Sequence, residues 1–84
     1  MMVSIGHENF LNSNDIVAII KPDCSPAKKL RHGANADRML ISATSGRKAR
    51  SMIVMKSNHV VLSALQTETL KTRIDGIKIT DGLV

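Results

Sequence analysis

Three segments of this chain are apolar at consecutive positions, and this pattern constrains the fold more than any other. They are Ile16–Ile20, Met52–Met55 and Val60–Leu62. Short apolar runs that are rich in β-branched residues predict strands. A strand that faces water on one side alternates apolar and polar residues, whereas these three do not. We therefore expect a sheet that is covered on both faces.

The cover has two possible sources, the chain's own helices, tail and loops or a second subunit. The chain has 84 residues, enough for one domain. A domain of this size buries only about 60% of the surface of its unfolded chain, so a lone monomer is marginally stable. One or two short helices cover about one face of a sheet. We therefore expect a homo-oligomer, in which another subunit covers the other face.

The remaining signals predict an α+β fold, with a small, mostly antiparallel sheet, one central helix and a short C-terminal helix. Ser25 is a candidate N-cap with Pro26 at the first helical position, and Thr67 is a second candidate N-cap. Gly46 and Asn58 suit turns, because both residue types tolerate positive φ. Residues 75–84 could form a last strand or a frayed end. In chain order, the predicted strands cover residues 16–21, 39–44, 50–56 and 59–65, and the predicted helices cover 27–35 and 68–73.

Positive charge is concentrated in the middle of the chain. The net charge is +5, yet residues 21–56 hold nine of the twelve Lys and Arg side chains and two Asp, for +7. Residues 1–20 carry −2. This distribution implies a polyanionic partner, and charge alone leaves DNA, RNA and anionic membrane open. With Phe10 as the only aromatic residue, base stacking on single strands is disfavoured.

The sequence contains no signal for an enzyme, a metal or a cofactor. Cys24 is the only cysteine, which excludes a disulfide framework and fits a reducing cytosol. Cys24 and His32 are eight residues apart, and no third group marks a nucleophilic site. Phosphate-binding glycine motifs and metal-ligand spacings are absent. The longest apolar run has five residues, so we expect neither a membrane span nor a signal peptide.

Two basic clusters are candidate phosphate-binding sites. Arg47, Lys48 and Arg50 surround a glycine turn between two strands. Arg can hold phosphate in a bidentate fork, and Lys acts as a point charge. Each cluster could instead be an ordinary solvated surface, and Arg50 could point inward toward a subunit interface. The second cluster lies on the predicted central helix and contains Lys28, Lys29 and Arg31, with His32 beside them.

Two motifs carry a family resemblance. Residues 39–50 read MLISATSGRKAR, and residues 53–69 read IVMKSNHVVLSALQTET. This pattern closely resembles the RemA-like extracellular-matrix regulators of bacteria. The resemblance extends over about residues 3–73, more loosely at the N-terminal end. It implies a single domain at 1–74 and leaves 75–84 as an unassigned tail.

The resemblance implies a DNA-binding transcriptional regulator that works as a ring-like homo-oligomer. Such proteins activate genes for biofilm matrix, so the implied location is the cytoplasm, at the nucleoid. The partners would be double-stranded DNA and further copies of the chain, without a membrane. Arg47 and Lys48 match the basic pair of the family. The candidate DNA-binding residues are therefore Arg47, Lys48, Arg50, Lys28, Lys29 and Arg31, with no catalytic residue, metal or cofactor.

The sequence departs from the family pattern at two notable positions. Asp15 stands where the family usually has Arg, at another position associated with DNA binding, and Ser45 replaces a commonly aromatic residue. An anion in place of a cation beside phosphates removes an attraction and adds a repulsion. This leaves an alternative, an oligomeric scaffold with weak or lost DNA binding. The salt dependence of binding would separate the two functions, because affinity for phosphates falls steeply with salt.

Overall fold

A computed structural model describes residues 1–83, with side chains described through Gly76. This part of the chain forms six strands, a 3-10 turn and two helices. The turn, Ser13–Asp15, connects the second strand to the third. The elements are β1 Met2–Gly6, β2 Asn9–Asn12, β3 Ile16–Ile20, α1 Ser25–Ala36, β4 Leu40–Ala43, β5 Ser51–Met55, β6 Val60–Ser63 and α2 Thr67–Leu83.

Four strands form the central sheet in the order β3-β5-β6-β4. β5 runs antiparallel to both of its neighbours, and β4 runs parallel to β6. In the β5–β6 pair, Ile53 lies opposite Val61 and Met52 lies opposite Leu62. The predicted α+β fold with a mostly antiparallel sheet is confirmed.

Helix α1 connects β3 to β4 across the sheet and covers one face. Ala27 and Ala34, seven residues apart, lie on one side of the helix and are buried against Met52, Val60 and Leu62. These small side chains let the helix approach the sheet closely. The N-cap is Cys24, so α1 begins one residue earlier than predicted, with Ser25 and Pro26 in its first turn.

The other face is covered by the β1–β2 hairpin together with α2. Ile5 of the hairpin and Leu70 of α2 pack against Ala43, Ile53 and Val61. The expectation of cover on both faces is therefore confirmed, but the chain supplies both covers itself. The sequence interpretation missed this hairpin, although Val3 and Ile5 are buried and alternate with more exposed neighbours.

The C-terminal helix is longer than the sequence predicted. It begins at Thr67, one residue earlier than expected, and continues through Gly76 to Leu83, so residues 75–83 do not form a last strand. An interior Gly costs a helix about 1 kcal/mol, which the continuing helix tolerates. Leu70 is fully buried on the sheet side of α2. Val84 and the side chains from residue 77 onward lie outside the described part.

Two fully buried serines connect the sheet to its cover. The Ser63 hydroxyl donates to the Ile5 carbonyl at 2.7 Å and accepts from the Leu65 N–H at 3.1 Å. The Ser51 hydroxyl donates to the Leu65 carbonyl at 2.8 Å. These bonds satisfy polar groups that would otherwise be buried at a cost. They hold β1 and the segment before α2 in fixed positions against β5 and β6.

Ser63→Ala should therefore lower the free energy of unfolding by about 1–3 kcal/mol, because it removes both hydrogen bonds at a buried site. Chemical denaturation measures the change. Ser57→Ala is the control, since Ser57 is exposed and bonds only to the ring of His59. Equal effects of the two substitutions would contradict the role of Ser63.

Candidate nucleic-acid interface

Strand direction brings the basic segments to one end of the sheet. β3, β4 and β6 run in the same direction, and β5 runs against them. The loop after β3, the first half of α1 and the connection between β4 and β5 therefore meet at this end. Six cations lie there, and we call them the basic end: Lys21, Lys28, Arg31, Arg47, Lys48 and Arg50.

Two adjoining concave surfaces show which cations are neighbours. Lys28, Arg31, Arg47 and Lys48 line one cleft between α1 and the end of β4. Lys48 also lines a groove toward the start of α2, together with Lys21 and Arg50. Lys48 thus joins the two surfaces. The cations come from the loop after β3, from α1 and from the β4–β5 connection, and they form one continuous positive region.

A tight turn positions Arg47 and Lys48. The Arg47 N–H donates to the Thr44 carbonyl at 3.1 Å. Ser45 has φ of 52° and Gly46 has φ of 80°, so both central residues of the turn are left-handed, as in a type I′ turn. The prediction of a glycine turn here is confirmed. The Arg50 N–H donates to the Ser63 carbonyl at 2.8 Å, which fixes the backbone at the start of β5.

The structure brings together five of the six predicted site residues. Lys28 and Arg31 are three positions apart, so they share the side of α1 that faces β4. Lys29 instead lines a different groove, with Leu30 and Gly33, beside the β5–β6 hairpin. Arg50 is exposed on the protomer and is not buried in its core.

Sequence reasoning missed Lys21 as a site residue. It directly follows β3 at the end of the sheet where β5 begins. One signal in the sequence could have indicated it. Lys21 ends the first predicted strand and Arg50 begins the third, so antiparallel pairing of these two strands would make the two residues neighbours. Only the strand order of the sheet makes these two segments neighbours.

The basic end is not neutralised by the chain itself. All six cations are exposed, and none of their side chains forms an ion pair or hydrogen bond within the part of the chain that is described. Two carboxylates, Asp23 and Glu68, line the same surfaces. Six cations and two carboxylates leave a net charge of +4. This charge is available to an external anion.

Asp15 lies at the opposite end of the sheet. Asp15 is exposed and directly precedes β3. Its carbonyl accepts the N–H of Lys56, the residue after β5, at 2.8 Å. A strand of five residues separates it from the basic end by about 17 Å. The Debye length at physiological salt is about 8 Å. Within one protomer, Asp15 therefore adds little repulsion to an anion at the basic end.

Among residues 1–76, whose side chains the structure describes, no group of three His, Cys, Asp or Glu side chains could hold a metal ion. Neither helix of this part combines the length and hydrophobicity that a membrane span requires.

The comparison with known proteins identifies the family. The model of the RemA-like family, whose description is extracellular matrix regulatory protein A-like, matches residues 2–74. This chain belongs to the RemA-like family. The resemblance inferred from residues 39–69 is thereby confirmed. The match ends part-way along α2, and the division into a domain at 1–74 and a tail at 75–84 stays a prediction.

Relatives from several bacteria share most of their length with this RemA-like protein. A protein of Finegoldia magna is 51% identical over 73 residues, which covers 87% of this chain and 88% of the relative. A protein of Thermodesulfovibrio yellowstonii is 43% identical over 83 residues, or 98% of each. A protein of Dictyoglomus thermophilum is 48% identical over 75 residues, or 89% and 88%. Their names read "putative regulatory protein", which supports a regulatory role rather than an enzymatic one.

Gly46→Ala should destabilise this RemA-like protein by about 1–2 kcal/mol, because an L-residue is strained at its left-handed φ. The melting temperature should fall by about 4–8 °C per kcal/mol. Gly33→Ala is the matched control. Gly33 lies inside α1 with open space around it, so alanine there should stabilise by about 1 kcal/mol. Melting curves of both variants at equal protein concentration test the prediction. Shifts of the melting temperature in the same direction for Gly46→Ala and Gly33→Ala would contradict it.

Proposed function

We propose that this RemA-like protein is a transcriptional regulator that binds double-stranded DNA as a homo-oligomer. The observation that carries the proposal is the basic end, where six exposed cations from three segments converge without internal partners. A surface of this kind binds phosphates, since Arg and Lys supply charge-assisted hydrogen bonds. Binding would release counterions from the DNA.

Duplex DNA is favoured over single strands. Stacking of unpaired bases requires aromatic side chains, and Phe10 is the only aromatic residue of the chain. Phe10 lies in β2, on the exposed face of the hairpin, and the buried Val3 and Ile5 lie on the other face. The basic end therefore contacts phosphates without a stacking platform.

The mechanism follows from phosphate contacts. Such contacts set position and orientation but carry no base sequence, so sequence preference comes from the shape and deformability of the DNA. One protomer makes few contacts. Several protomers in a ring would raise the effective concentration of each site and convert weak contacts into tight binding. The genes controlled would be those for biofilm matrix, which places the protein in the cytoplasm at the nucleoid.

Replacing Arg47 and Lys48 together by Ala should weaken duplex binding by about tenfold or more. The slope of log affinity against log salt should also fall by about one to two. Fluorescence anisotropy with labelled duplex at several salt concentrations measures both. The control is Lys29→Ala with Lys56→Ala, which removes the same charge outside the basic end. If both double variants lose affinity equally, binding is not localised at the basic end.

The alternative function is an oligomeric scaffold that has lost DNA binding, and it rests on Asp15. Within one protomer, Asp15 lies about 17 Å from the basic end, which argues against this alternative. We therefore expect Asp15→Arg to change the dissociation constant for duplex DNA by less than about threefold, since the charge is screened over that distance. A change from undetectable to tight binding would support the scaffold.

The edges of the central sheet support assembly. Both edge strands of the sheet expose apolar side chains, with Val17 of β3 62% exposed and Ile41 of β4 48% exposed. Uncovered strand edges are prone to pair with other chains. Because β3 and β4 lie on opposite edges, a contact between them is heterologous, as a ring requires.

Light scattering should therefore give an oligomeric mass for the natural chain, and Val17→Lys should shift the mass toward that of a monomer. A charge at an edge strand opposes pairing with another chain. Leu30→Lys is the control, because Leu30 is exposed on α1, away from both edges. A monomeric mass for the natural chain would overturn the assembly.

A further inference from the structure

The cleft at the basic end is an open recess that can admit a small ligand. Its volume is about 390 Å³, and it lies between α1 and the end of β4. Pockets for small ligands typically have volumes of this order and combine an apolar base with a few convergent polar groups. Leu62 and Ala49 supply the apolar part. A flat contact with the DNA backbone needs no such recess.

Two hydroxyl groups lie in this cleft. Ser42 and Thr44 alternate with the buried Ala43, so both lie on the face of the sheet that carries α1. Their oxygens are 3.2 Å apart. A hydroxyl has one O–H donor, so the bond between them uses one donor and leaves the other for an acceptor atom of a ligand. Thr44 lines the cleft and is only 5% exposed, so a flat surface laid over the protein makes little contact with it.

The charge of the cleft indicates the ligand class. Lys28, Arg31, Arg47 and Lys48 line it against a single carboxylate, Asp23, for a net charge of +3. A diphosphate group carries about three negative charges near neutral pH. Its oxygens are acceptors, which suit the two Arg forks, the Lys ammonium groups and the unused hydroxyl donor.

We propose that this cleft binds a small ligand bearing a diphosphate group, such as a nucleoside diphosphate. The binding site stands on the geometry of the cleft alone. Its regulatory consequence rests on the proposed function: because Arg47 and Lys48 serve both ligands, the diphosphate competes with DNA for them. The same phosphate chemistry could come from DNA or from a free ligand, and the variants below separate these sources.

Isothermal titration of the full chain with inorganic pyrophosphate, and then with ADP, tests the binding site without DNA. We expect saturable binding with a dissociation constant below about 1 mM. Lys28→Ala should raise this constant at least about tenfold. Lys29→Ala is the matched control, because it removes the same charge from the next residue of α1 but lines another groove. It should change the constant by less than about twofold.

Two further variants separate free diphosphate from DNA. Thr44→Val keeps the side-chain shape but removes the hydroxyl, so it should weaken pyrophosphate binding. The affinity for duplex DNA should stay within about twofold, because Thr44 is buried and a duplex lying on the protein surface does not reach it. Arg50→Ala should weaken duplex binding and leave pyrophosphate binding unchanged, because Arg50 lines the neighbouring groove and not the cleft. Pyrophosphate should also displace labelled duplex from the natural chain.

The possible failures are distinguishable. Absence of saturable pyrophosphate binding, or equal loss in Lys28→Ala and Lys29→Ala, overturns the pocket and leaves DNA binding intact. Binding of pyrophosphate with the expected variant pattern, in a chain that does not bind duplex DNA, upholds the pocket and overturns the DNA function. Loss of DNA binding in Thr44→Val equal to the loss of pyrophosphate binding would show that the cleft holds a DNA phosphate, and would overturn the small-ligand proposal.

Discussion

The fold depends on the antiparallel pairing of β5 with β6 in the middle of the sheet. This pair is apolar on both faces. Met52 and Leu62 face α1, and Ile53 and Val61 face the β1–β2 hairpin and α2. Each face loses a large apolar area to its cover, at about 25 cal/mol for every Å² removed from water. A cover on one face alone would leave the apolar side chains of the other face in water. The chain therefore supplies two covers, α1 on one face and the β1–β2 hairpin with α2 on the other.

The position of the candidate site is a consequence of that arrangement. Because α1 must cross the sheet to connect the edge strands β3 and β4, its N-terminal half lies above the end at which β5 starts. Cations on α1 and in the turn before β5 are far apart in sequence but become neighbours at this end. The apolar sheet thus determines where the charge is concentrated, although it makes no contribution to the charge itself.

The same geometry changes the meaning of two charges. Lys28 and Lys29 are adjacent in sequence, yet the helical rotation of about 100° per residue sends them to different grooves. Asp15 and Lys21 flank the same strand, yet one lies about 17 Å from the basic end and the other belongs to it. Within one protomer, the departure from the family at position 15 therefore lies far from the basic end.

Sequence by itself determined the four strands of the central sheet, the turn at Gly46, the start of both helices to within one residue and the family, because these follow from local periodicity, caps and motifs. It did not predict the β1–β2 hairpin, whose alternation is short and interrupted by polar residues, nor the continuation of α2 through Gly76. Tertiary structure alone decided which cations share a surface, that Arg50 is exposed, and that the chain covers both faces of its own sheet. The physical reason is that these properties depend on strand order and on packing between distant segments, which no local pattern encodes.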